Sequence, residues 1–173
     1  MIFTGFKRKT NQIFFNKKLI ELQKNKEVTG NKKVENVFVI LNNTENQDEI
    51  IRDLSEKLSL ASHKFNVVVF QPKKDKNNRI ENAFYPTDFG WYGNIKAIFL
   101  KDVLTKKYDL LINYNKVDNI YINLLILQCK SDFKIGFANL NKALFQLLID
   151  CDTDNYTLFN EELKKYLTIL KKL

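Results

Sequence analysis

Residues Lys107–Asn115 read KYDLLINYN. Leu110, Leu111 and Ile112 make an apolar run too short for a helix and bounded by polar residues on both sides. Such a run, apolar on both faces, reads as a strand buried inside a parallel sheet. Asn113, Tyr114 and Asn115 then fall at its carboxyl end, where open α/β sheets tend to place their ligands.

On the amino-terminal side, Val37–Leu41 (VFVIL) and Phe65–Phe70 (FNVVVF) read as two more buried strands. Between them, Ile50, Ile51, Leu54 and Leu58 share one face of a helix ending near Ser59. Thr44 and Gln47 have the spacing of a capping box at its start. Strand, helix and strand form a βαβ unit. Residues 71–96 are long and irregular, and Ala83–Asn94 (AFYPTDFGWYGN) gathers aromatics around Asp88. Those rings cover the sheet edge, stack a base or line a pocket, and edge cover is the commoner use. Ile98–Leu104 is a short helix or strand. Residues 10–25 place Phe15, Leu19 and Leu22 on one helical face, with Lys17, Lys18 and Lys24 mostly turned away. That helix can pack on the domain, lie on a membrane surface or hold a partner; its modest amphipathicity makes packing the default.

On the carboxyl side, Val117–Lys130 reads as a helix and Phe133–Phe137 (FKIGF) as a strand. Leu144–Asp150 (LFQLLID) follows after six residues, too few for a helical crossover, so an antiparallel hairpin is expected there. Asn155–Leu170 closes the chain as a helix. The expected fold is α/β: a three-layer, Rossmann-like, mostly parallel sheet with one antiparallel hairpin. Residues 1–35 form a basic N-terminal helical extension, and residues 36–173 a single α/β domain.

The chain of 173 residues can bury a core of roughly 70% of its unfolded surface. Its longest apolar run, Val37–Leu41, is far below the roughly 20 residues of a membrane span. Met1–Thr10 reaches Lys7, Arg8 and Lys9 before any apolar stretch, so no secretory leader is expected. Cys129 and Cys151 lack a CxxC spacing, and a reducing cytoplasm is the simplest compartment. The net charge of +8 is uneven: residues 1–35 carry nine Lys and Arg against three Glu, for +6, which leaves +2 on the remaining 138. A basic arm of this kind contacts phosphates or acidic lipid, or is simply solvated. Lys7, Arg8, Lys9, Lys17 and Lys18 are the candidate nucleic-acid-binding residues.

Other chemistry is thinly supported. The sequence holds no GxGxxG and no GxxxxGK[ST], which disfavours a dinucleotide or ATP role. Asp150, Asp152, Asp154 and Glu161 have calcium-loop spacing, but Asn155 replaces the turn glycine and helix capping explains the acids without a metal. His63, the one histidine, excludes a multi-histidine metal site. No catalytic residue, metal or cofactor is assigned. Asn42, Asn43 and Thr44 follow the first strand and Asn113, Tyr114 and Asn115 the central one. With Asp88 and Trp91 they are candidates to line one ligand crevice. Amides and hydroxyls suit binding but supply no base of tuned pKa, which favours binding over catalysis.

Trp91-Tyr92-Gly93, KYDLLINYN at 107–115, FKIGF at 133–137 and FNEELKKYLTIL at 159–170 together resemble an uncharacterised family of short cytoplasmic proteins of Bacteroidetes-type bacteria, a domain of unknown function. The resemblance implies one bacterial cytoplasmic domain and carries no mechanism. The leading expectation is a non-enzymatic binding protein contacting RNA, a ribosome or another acidic partner through its basic segment. The alternatives are a small-molecule enzyme or sensor using the crevice, and a subunit that binds a protein through exposed aromatics.

Overall fold

The computed structural model describes residues 2–24, 32–75, 80–152 and 155–173, with side chains from residue 5 onward. The expected loop around Gly30 and the candidate ligand Asp154 lie outside the described residues. Six strands form one sheet: β1 Val37–Leu41, β2 Phe65–Phe70, β3 Ala83–Phe84, β4 Lys107–Asn113, β5 Lys130–Phe137 and β6 Leu147–Ile149. Their order is β3-β2-β1-β4-β5-β6, and every pairing is parallel. β1 is buried along its whole length and β4 from Tyr108 onward, as the apolar runs require.

The helices are α1 Ile2–Lys24, α2 Gln47–Leu58, α3 Ile98–Thr105, α4 Ile120–Gln128 and α5 Tyr156–Ile169. α1 packs along α4 and α2 along α5, which makes a three-layer α/β arrangement. Phe159 of α5 stacks obliquely on Phe137 and Tyr114, while Phe89 meets Phe84 and Tyr121 of α4. α1 starts eight residues before the expected boundary at residue 10.

Two local expectations are corrected. The hairpin is absent: Ile135, Gly136 and Phe137 pair in parallel with Leu147, Leu148 and Ile149. Leu144 and Phe145, read as strand, belong instead to the connection 138–146, which returns through tight turns without a helix. The connection lies against Gly136, where a Cβ would stand 2.9 Å from Phe145 and 3.0 Å from Leu140. A three-residue edge strand is only about 10 Å long, so nine residues, with a reach of roughly 30 Å, return along it with slack for the turns. The second correction is the capping box. α2 is capped at Asn46 with no side-chain bond, and Thr44 contributes only its carbonyl to Gln47 N–H at 3.3 Å. The helix begins too late for the Thr44 hydroxyl to reach it.

Within the central strand, Asp109 ties the preceding segment to the sheet. Its carboxylate accepts Lys32 Nζ at 2.7 Å, Glu35 N–H at 3.0 Å and Asn36 N–H at 3.1 Å. Burial alone raises its pKa, but the Lys32 ammonium and the two backbone donors outweigh that and leave it below the ordinary carboxyl range. Asp109→Asn is expected to lower stability by about 2 kcal/mol, the worth of hydrogen bonds to a charged group. A carboxyl held low stabilises the fold above the unfolded value of 3.8 and ceases to as pH falls through its lower folded value. The urea midpoint should therefore fall with acid from about pH 5 downward, and fall less steeply in Asp109→Asn.

Candidate functional site

The sheet reverses direction of growth between β1 and β4, which puts a crevice at the carboxyl ends of those two strands. Asn42, Asn43, Asn46, Tyr114, Lys116 and Tyr156 line it, and its volume is about 110 Å³. Small-molecule sites run to roughly 300–1,000 Å³, and a water takes roughly 30 Å³. This crevice accommodates a few waters.

Side chains from the sequence's own candidate set occupy the rest. Tyr114 is buried, its hydroxyl bonded to Asn160, whose Nδ2 donates to Asp53 at 2.7 Å; Asp53 in turn pairs with Lys57 at 3.0 Å. Burial, with the Asp53 charge beside it, holds the Tyr114 phenol well above its usual pKa, so it stays protonated. Asn115 donates its amide to Asn113 Oδ1 at 2.7 Å and to Ile40 carbonyl at 3.3 Å. The polar end of KYDLLINYN thus satisfies the fold's own backbone. At the mouth, Tyr156 on α5 donates to Glu49 on α2 at 2.6 Å.

Only part of the expected constellation converges here. Asn42, Asn43 and Tyr114 line the crevice; Thr44 is exposed beyond it, and Asn113 and Asn115 lie beneath its surface. Asp88 and Trp91 are elsewhere, because their loop follows β3, two strands away at the sheet edge. Asp88 accepts Tyr85 N–H at 2.8 Å and borders a separate open cleft of about 740 Å³ with Lys74, Asn82, Ile98 and Phe99. Of the remaining candidates, His63 is exposed in a short 3-10 turn. Cys129 is buried and its thiol is pushed up to about 12, which leaves it a poor nucleophile. Among the described residues no group of His, Cys, Asp or Glu is placed to hold a metal.

The most specific geometry lies between α1 and the aromatic loop. Asn11, fully buried, donates its amide to Gly90 carbonyl at 3.1 Å and accepts Gly93 N–H at 2.7 Å. Lys7 Nζ donates to Phe89 carbonyl at 2.9 Å and Pro86 carbonyl at 3.3 Å, and burial together with nearby Lys96 lowers its pKa. Gly93 sits at φ +73°, and an added Cβ would lie 2.4 Å from the Phe14 ring. Gln128 of α4 donates to Gly93 carbonyl at 3.0 Å. Lys7, Asn11 and Phe14 thus fasten the helix to the loop it covers.

That fastening decides what α1 presents. Of the five candidate cations, Lys7 is turned into the loop, Lys18 pairs with Glu21 at 2.6 Å, and Arg8, Lys9 and Lys17 are exposed. Opposite the buried Asn11 and Phe15, Phe6, Ile13 and Ile20 are 61%, 55% and 54% exposed, with Lys9, Lys17 and Lys24 beside them. The loop's aromatics divide: Phe84, Tyr85 and Phe89 are buried in the sheet edge, while Trp91 and Tyr92 stay outside. Trp91 meets Phe6 edge-on at 5.8 Å between ring centres. Sequence reading missed both Asn11 and the outer stripe. The seven-residue spacing 6–13–20 was the available signal, but apolar residues on both faces of one helix cancel its amphipathicity.

Asn11→Ala removes both partners of a buried carbonyl and a buried N–H, and should cost about 3 kcal/mol in urea unfolding, with a shift in Trp91 fluorescence. Gly93→Ala combines a left-handed backbone with a steric collision and should lower stability by at least about 1 kcal/mol by the same measurement.

No curated protein and no solved structure matches the chain. Residues 7–170 match the profile of a family of unknown function, DUF6913, from α1 through α5. The chain belongs to the DUF6913 family.

Proposed function

We propose that this protein is a non-enzymatic binding protein of a bacterial cytoplasm that docks an acidic partner on the outer face of α1. The observation that carries the reading is the fastening of α1 by Lys7 and Asn11, which holds a cationic face outward in one orientation. Glu21 is the only carboxylate in α1, and it is tied to Lys18. Arg8, Lys9, Lys17 and Lys24 are exposed on a helix whose position is set before any partner arrives. A preorganised cationic surface binds an acidic partner at lower ordering cost than a free arm. RNA, a ribosome and an acidic lipid surface share the required chemistry. The crevice between β1 and β4 supports this choice over catalysis, because it is small, the Tyr114 hydroxyl that reaches it is bonded to Asn160, and the Asn113 and Asn115 amides beneath it are engaged inside the fold.

Affinity purification of the wild type and of K9E/K17E/K24E from native lysate, at low and high salt, tests the reading. The wild type should retain an acidic partner that elutes as salt rises. Each lysine withdrawn from a phosphate should reduce the log–log salt slope by about 0.7–0.9. Identical partners on the charge-reversed variant would overturn it.

A further inference from the structure

The outer face of α1 is not merely cationic. An α-helix drifts about 20° per heptad, so Phe6, Ile13 and Ile20 fall within about 40° of one another, along roughly 21 Å of axis. Lys9, Lys17 and Lys24 border that line, and Trp91 meets Phe6 edge-on beside it, with Tyr92 next to it in the chain. Phe6, Ile13, Ile20, Trp91 and Tyr92 are all large, apolar or amphipathic, and exposed. The surface is the convex side of a helix packed on α4, so it is a ridge and not a groove.

Four occupants suit a basic and apolar ridge, and the spacing separates them. A second copy of the chain would bring cation against cation. It would also need apolar residues three or four positions after each stripe residue to build a seam. Those positions hold Lys9 and buried Thr10, Asn16 and Lys17, Gln23 and Lys24. The same gaps spoil the i, i+3, i+4, i+7 anchors that a helix offers a protein groove. RNA would use the lysines, but aliphatic Ile13 and Ile20 provide no stacking surface. A lipid surface needs no seam. Isolated apolar side chains enter the headgroup boundary one by one, lysine stems snorkel between them, and Trp and Tyr favour that depth.

We propose that the outer face of α1 seats on an anionic lipid bilayer. Phe6, Ile13, Ile20 and Trp91 enter the headgroup–acyl boundary, and Lys9, Lys17 and Lys24 contact the acidic headgroups. The proposal rests on the docking reading above and names its partner. Among the described residues no helix is long and apolar enough to cross a membrane, so the contact is peripheral. With so few inserted side chains, it is also reversible and salt-sensitive.

The test is flotation of the full chain with vesicles of phosphatidylcholine, alone or mixed with phosphatidylserine, at low and high salt. Trp91, the chain's one tryptophan, reports insertion directly. The wild type should float with the mixed vesicles at low salt, with a blue shift in emission, and should release at high salt. Ile13→Gln with Ile20→Gln changes only exposed positions, so the fold, checked by circular dichroism, should be kept while flotation falls at least about tenfold. K9E/K17E/K24E should abolish flotation. Undiminished flotation of the double glutamine variant would overturn the proposal, because the contact would then be charge alone. Absence of wild-type flotation would overturn it too. If the wild type then retains RNA through the same lysines, the docking reading stands with a different partner; if lysine reversal changes no partner at all, that reading falls as well.

Discussion

An all-parallel sheet has to be covered on both faces, because its strands are apolar on both. In this chain that constraint reaches beyond the βαβ units to the N-terminal helix. α4 is buried at Ile122, Leu124, Leu125 and Ile126, and α1 lies along it. Phe15 joins the core from α1, and Asn11 and Lys7 bond the loop after β3, so the helix is a part of the fold. Its outward face follows from that placement, since a helix fixed by one side can turn no other residues to solvent.

The same demand explains the polar end of the central strand. Where a ligand-binding sheet would leave groups free at the switch in strand order, Asn113, Tyr114 and Asn115 turn back on the protein. A buried amide or hydroxyl without a partner costs about 1–3 kcal/mol, so each has found one. Among the described residues no buried side-chain nitrogen or oxygen lacks a hydrogen bond. Lys134 illustrates the rule: its ammonium, desolvated enough to lower its pKa, donates to Ile126 carbonyl at 2.8 Å. At the end of the central strand, residue types that suggest a site in sequence serve in the structure as internal fastenings.

α1 therefore works on two sides. Its inner face carries Phe15, Leu19 and Leu22 with the buried Asn11, and its outer face carries Phe6, Ile13 and Ile20 among lysines. Stability constrains the first, while the second is exposed among the described residues, with Phe6 meeting Trp91 edge-on. Exposed apolar residues arranged in a line and bordered by like charges are more telling than the same residues scattered singly.

The sequence by itself determined the strands β1, β2, β4 and β5, the helices α2, α4 and α5, and the α/β class. Runs such as VFVIL and KYDLLINYN carry their burial in their composition, and helical periodicity is local. It also determined where the positive charge lies. Only the tertiary structure decided that β6 runs parallel, because that depends on Leu140 and Phe145 fitting over Gly136, a contact no spacing reveals. Likewise, Asp88 and Trp91 are separated from Asn42 and Tyr114 by strand order, which is a long-range pairing. The function of Asn11 was illegible for the same reason: one polar residue on a helix gains meaning only from Gly90 and Gly93, some eighty residues away.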